Sequence, residues 1–153
     1  MSKRNIIINL IFVSLVIRAA NLPAQSSYSP EVHVIYYFTK YVEWPANFKQ
    51  ENFVIGVYHD DVIYEQLSKG ITGRRVGNQR ITISKIDELS RKQLDVAILY
   101  MGESPIVDIK MAINLLASMP VLVVTKLNDK TINGISMNLK IVNEKINLEI
   151  DQK

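Results

Sequence analysis

The sequence predicts an α/β fold: a single domain with a mostly parallel sheet flanked by helices and a C-terminal antiparallel hairpin. Three observations predict it. Largely apolar runs of strand length recur at Phe53–Tyr58, Asp95–Tyr100 and Val121–Thr125, the pattern of strands buried on both faces. Segments with helical periodicity stand between them, the alternation that builds parallel sheets. The chain then closes with two strand-type runs, Ile135–Leu139 and Lys145–Ile150, on either side of Asn143-Glu144, the spacing of a hairpin. With 153 residues, 48% of them hydrophobic and 22% charged, the chain suits one packed domain.

Residues 1–24 read as a secretory signal peptide. Lys3-Arg4 is a basic start, Ile6–Ile17 is apolar, and Ala19–Ala24 is rich in small residues. The apolar run is about a dozen residues, short of the roughly 20 needed to span a bilayer. The domain proper is then 25–153. Ser29-Pro30-Glu31 reads as a helix start, with Ser as N-cap, Pro at the first position and Glu near the positive end of the dipole. Val32, Ile35, Tyr36 and Thr39 share one face of that helix, and Trp44-Pro45 ends it. After the Phe53–Tyr58 strand, Val62–Lys69 reads as a short helix stopped by Gly70. Gly70–Gln79 reads as a loop. Arg80–Ile86 alternates with period two, a strand with one covered face. Ser104-Pro105 repeats the Ser-Pro helix start, and Ile106, Ile109, Ile113 and Leu116 line one face of the helix that follows.

Charge and composition exclude several function classes. The chain carries 18 Lys+Arg against 15 Asp+Glu, but Lys3, Arg4 and Arg18 precede Ala24. The exported part is therefore formally neutral, which gives no support to nucleic-acid binding. The absence of cysteine removes disulfides, Cys-based metal sites and thiol nucleophiles. No catalytic, cofactor or metal motif stands out. Ser104 has neither a G-x-S-x-G frame nor a neighbouring His.

Two constellations remain. His59-Asp60-Asp61 lies at the carboxyl end of a predicted strand, where open α/β sheets bind ligands. The glycine-rich, basic stretch Gly70–Gly77 contains Arg74 and Arg75 and suits an anionic group. His59, Asp60, Arg74 and Arg75 are thus the candidates for a small-molecule site. The plainer reading makes Asp60 or Asp61 a helix cap and the glycine-rich stretch a solvated turn. Tyr36, Tyr37, Tyr41 and Trp44 form an aromatic stripe. Such stripes are commonly core, yet Tyr and Trp are also favoured anchors at protein interfaces.

The stretch Phe38, Lys40, Tyr41, Val42, Glu43, Trp44, Pro45, with Phe53–Val57 following, resembles the YfiR family of exported bacterial proteins. Gly134 with Met137-Asn138-Leu139 is similar to that family's Gly-x-x-Ile-Asn-Phe signature, and Asn147–Asp151 to its Phe-Glu-Ile-Asn ending. The resemblance spans nearly the whole mature chain. It implies a non-enzymatic periplasmic regulator without a cofactor. Its partner would be the outer part of a membrane signalling protein, a diguanylate cyclase or a histidine kinase, and a homodimer is compatible with it. The surface for that partner is expected at Tyr37, Tyr41, Glu43 and Trp44. Some members of the family carry cysteine pairs that this chain lacks.

Overall fold

The computed structural model describes residues 28–45, 51–128, 132–143 and 145–150. The signal read at 1–24 lies outside them. Among the described residues, no helix is long and apolar enough to cross a membrane.

The elements run α1 (Pro30–Tyr41), β1 (Asn52–Tyr58), α2 (Asp61–Ile71), β2 (Arg75–Val76), β3 (Gln79–Ile86), β4 (Ile98–Gly102), α3 (Ile106–Leu116), β5 (Leu122–Thr125), β6 (Met137–Val142) and β7 (Lys145–Ile150). The strands form one seven-stranded sheet in the order β2-β3-β1-β4-β5-β6-β7. β3, β1, β4, β5 and β6 are parallel, and the antiparallel strands β2 and β7 close the two edges. The α/β class, the mostly parallel sheet and the terminal hairpin are as the sequence predicts. Taken in chain order, the parallel strands are arranged 2-1-3-4-5. The order reverses between β1 and β4, and that reversal opens a crevice at the carboxyl ends of those two strands.

The core has two layers, one on each face of the sheet. α1 and α2 cover one face, packing Val32, Ile35, Phe38, Ile63 and Leu67 onto Phe53, Ile55, Val57 and Ile98. α3 covers the other with Ile109, Ala112 and Leu116 against Leu99, Met101 and Val123. β1 feeds both layers, which is why its run is apolar without alternation.

Several local expectations need correction. Gly70 does not end α2, which continues to Ile71. Its role is close approach: a Cβ there would lie 3.2 Å from the Tyr28 ring. The stretch after it is not all loop, because Arg75 and Val76 pair antiparallel with Arg80 and Gln79. β3 is not a one-faced strand. Ile81 joins the α1 side and Ile86 the α3 side, so its two ends are buried on opposite faces. β4 begins at Ile98 rather than Asp95 and runs on to Gly102. Ser29 occupies the N-cap position of α1, but its hydroxyl makes no capping bond. Ser104 is not a cap at all. Pro105 holds that place, and the Ser104 hydroxyl turns back to donate to the Met101 carbonyl.

Candidate functional site

The crevice between β1 and β4 is a cleft of about 390 Å³. Tyr58, His59 and Asp60 come to it from the end of β1. Tyr100 and Met101 come from β4, where the register against β5 slips between Tyr100 and Gly102. That bulge turns the strand end into the cleft, a placement common beside binding sites. Glu103 and Lys126 complete the charged wall.

Each of these side chains is set by its neighbours. His59 has φ of 49°, a left-handed conformation uncommon outside glycine. The backbone turn lays its ring flat on Tyr58, with centroids 4.1 Å apart and planes 10° apart. Its Nε2–H donates to the Asp87 carbonyl at 3.1 Å. Asp60 caps α2, its Oδ1 accepting the Ile63 amide at 3.0 Å, which is the plainer of the two sequence readings. The Tyr58 hydroxyl donates to Asp108 Oδ2 at 3.2 Å. Burial and the Asp108 carboxylate both push that phenol above its usual range. Tyr100 is almost wholly buried, and burial raises its phenol too, with Asp60, Glu31 and Glu103 adding to the effect.

Lys126 is the electrostatic centre. Its Nζ lies 3.1 Å from Glu31 Oε1 and 3.3 Å from Glu103 Oε1. Glu31 comes from the first turn of α1, and its side chain is only 8% exposed. Burial alone would raise the Glu31 carboxyl, but hydrogen bonds from its own backbone and from Lys126 outweigh that and hold it below the usual carboxylate value. Burial likewise opposes the charge on Lys126, and the two glutamates override it and raise the ammonium. The single lysine is thus shared between two carboxylates, with Asp60 close by. The cleft is net acidic and suits a cationic group better than an anion. Among the described residues, no group of three or more His, Asp or Glu is placed to hold a metal ion.

The arginines lie elsewhere. Arg75 pairs with Arg80, and Arg80 pairs with Asn52 at the start of β1. His59 follows the other end of that strand, so about 20 Å of sheet separates the two groups. The structure therefore brings His59 and Asp60 together in the cleft and leaves Arg74 and Arg75 out of it. They are close in sequence only because they flank α2, one pair at each end of it.

A second surface forms at the far end of α1. Tyr37 and Tyr41, one turn apart, place their rings 6.0 Å apart and are 53% and 80% exposed. Tyr36 is half-buried, with the Arg74 guanidinium 4.9 Å and the Lys40 ammonium 5.4 Å from its ring centre. Arg74 beside its hydroxyl holds that phenol below its usual range, despite some burial and with help from Lys40. Lys40 also donates to the Arg75 carbonyl at 3.0 Å. Glu43 is exposed beside them. Trp44 differs from its neighbours: it is half-buried, edge-on to Phe53 at 4.9 Å, and packs against the core. The aromatic stripe thus divides into an exposed pair, Tyr37 and Tyr41, and an anchoring Trp44.

Sequence reasoning missed Glu31, Glu103 and Lys126, because the contact joins three separate elements. It also left Asn138 without a role. Asn138 is buried in β6, where its Oδ1 accepts from the Thr125 hydroxyl at 2.9 Å and the Leu127 amide at 2.8 Å. Its Nδ2 donates to the Leu127 carbonyl at 2.9 Å and to Glu149 Oε2 at 3.1 Å. An asparagine inside an apolar strand run is the signal that could have singled it out.

No curated protein matches the chain. Residues 28–153 match the family described as YfiR/HmsC-like. That span covers both surfaces and the Gly134 and Asn138 signature, and so the chain belongs to the YfiR/HmsC-like family.

Proposed function

We propose that this protein is a non-enzymatic periplasmic regulator that docks on the outer part of a membrane signalling protein, a diguanylate cyclase or a histidine kinase. Export by the signal at 1–24 belongs to the same proposal. Family membership is consistent with it. The observation that carries the reading is the Tyr37–Tyr41 pair: two large aromatic rings held in the open on a helix whose other face is core. Tyr41, at 80% exposure, contributes little to the fold where it stands, whereas rigid aromatics beside Lys40, Arg74 and Glu43 make a good interface anchor. Regulation follows by mass action. The protein binds one conformation of the receptor's outer domain better than the other and shifts the balance between them.

The test is capture of a membrane receptor by in-cell cross-linking, with wild-type protein and with Tyr37→Ala/Tyr41→Ala. The double variant should lose about tenfold or more in capture, the equivalent of about 1.4 kcal/mol, with an unchanged melting temperature. Equal capture by the variant removes this surface from the reading.

A second reading is favoured by the cleft: small-molecule sensing at the β1/β4 switch point. The two readings are compatible, because α1 touches both surfaces. Its first turn supplies Glu31 to Lys126, and its last turn supplies Tyr41.

A further inference from the structure

In the β2–β3 hairpin two like charges stand directly opposite each other. Arg75 and Arg80 are cross-strand partners. The Ile81 amide donates to the Arg74 carbonyl at 2.7 Å, and a two-residue turn closes the hairpin at Val76↔Gln79. Arg75↔Arg80 is therefore the non-hydrogen-bonded pair in between, with Cα atoms about 4.5 Å apart and side chains at their closest. Like charges in that position destabilise a sheet. Both arginines are exposed. The Arg75 guanidinium gives one donor to the Asn78 carbonyl at 3.3 Å, and its remaining donors stay open.

More positive charge gathers at the same place. Lys40, near the end of α1, donates to the Arg75 carbonyl at 3.0 Å, and the Arg74 guanidinium lies over the Tyr36 ring. The ion pairs among the described residues use other cations, namely Lys69, Lys85, Lys126 and Lys140. Lys40, Arg74, Arg75 and Arg80 have no carboxylate partner among those residues. They adjoin the open Tyr37–Tyr41 pair through Lys40, which precedes Tyr41 on α1. Arginine beside exposed tyrosine is the composition of a recognition surface.

We propose that this cluster receives an acidic segment of the protein partner. Carboxylates of that segment would take Arg75 and Arg80 together, while its neighbouring side chains pack on Tyr37 and Tyr41. The inference rests on the docking reading above and names the chemistry of the partner's contact. A guanidinium fork matches a carboxylate in two parallel hydrogen bonds, and a carboxylate set between two arginines turns their repulsion into attraction. The layout of the cluster selects a protein segment over an anionic membrane. Arg74 and Arg75 are consecutive in extended chain, so their side chains leave on opposite faces of the sheet. Arg74 goes to the α1 face, over Tyr36, and Arg75 goes with Arg80 to the other. The charge thus wraps an edge of the sheet. A flat layer of headgroups meets one side of such an edge, whereas a chain segment follows it round. Glu43, exposed beside the tyrosines, also opposes an anionic layer. Stability and affinity therefore make opposite demands on Arg75 and Arg80: the free chain carries the repulsion and the complex removes it.

The experiment repeats the in-cell capture of a membrane receptor with Arg75→Gln/Arg80→Gln and Arg75→Glu/Arg80→Glu, beside wild type and Tyr37→Ala/Tyr41→Ala. The neutral variant should lose about tenfold in capture, and the reversed variant should lose more. Melts of the purified chain should show Arg75→Gln at least as stable as wild type, because the like-charge pair is gone. Loss of capture by the tyrosine variant, with wild-type capture by both arginine variants, overturns this inference and leaves the docking reading in place. Loss by none of the variants, or no receptor captured by wild type, removes both. A lower melting temperature for Arg75→Gln means that the chain itself uses the pair, and overturns the inference. So does binding of the purified wild-type chain to vesicles of phosphatidylethanolamine and phosphatidylglycerol that the reversed variant lacks, with receptor capture unchanged, which assigns the cations to lipid.

Discussion

Asn138 ties together three segments with one amide group: the end of β5 through Thr125, the following turn through Leu127, and β7 through Glu149. Replacing it by Ala leaves the Thr125 hydroxyl and the Leu127 amide without their partner in a buried place. The expected loss is about 2–3 kcal/mol, read as a lower urea midpoint. Gly134, the other member of the signature, has φ of 94°, and a Cβ there would lie 2.8 Å from Ile113 Cγ2. Both residues are legible in the sequence as a pattern, but their reasons lie in contacts between elements. The Glu31–Lys126 pair is the residue-scale case with a pH signature. The Glu31 carboxyl is held below its ordinary value of 4.5, so folding favours its charged form. Its contribution is fully present above about pH 4.5 and is lost as pH falls through the lower folded value. Thermal melts from pH 7 to 3 should show this loss, and Glu31→Gln should shrink it. Lys126→Met strands Glu31 in its buried place and should cost about 3 kcal/mol at pH 7.

The elements show what local sequence can and cannot carry. β1 is plain from its apolar run, and α2's cap from the Asp60-Asp61 pair, of which Asp60 takes the place and Asp61 begins the helix. Ser104 misleads because Ser-Pro marks a helix start without saying which of the two residues occupies the cap. Gly70 misleads because glycine serves close packing as well as chain reversal, and the Tyr28 ring that needs the space is remote in sequence. α1 carries the prediction at this scale. Its aromatics look alike in the sequence, yet they divide by the direction each takes from the helix end. Trp44→Ala should lower stability by about 2 kcal/mol, below the range for a fully buried aromatic because Trp44 is half-buried. Tyr41→Ala should leave the melting temperature unchanged and act on partner capture alone. If Trp44→Ala leaves stability unaltered, its packing on Phe53 has no energetic weight.

Across the whole molecule, fold class and hairpin are legible, because alternation of strand and helix periods specifies a class. Strand order is not, because the same alternation fits several orders. The cleft depends on that order, since it lies at the carboxyl ends of the paired strands β1 and β4, where the strand order reverses. On the sensing reading, the charge it would favour therefore changes from the sequence expectation: Arg74 and Arg75 lie at the other end of the sheet and Lys126 is shared by two glutamates, an arrangement that suits a cation better than an anion. A thermal-shift comparison of betaine, putrescine and citrate should show stabilisation by putrescine and none by citrate, with the putrescine effect reduced in Glu103→Gln. Stabilisation by citrate alone would reverse the charge assignment. The central place of β1 has a consequence for how the chain acquires its structure. β1 is the first strand made, yet both of its neighbours lie later in the chain, and the α1 face is sealed in part by Leu139 near the carboxyl end. An amino-terminal fragment as far as β3 leaves one side of β1 open. Folding is therefore a late, long-range event, and a chain emerging amino end first exposes an unpaired apolar strand until β4 arrives.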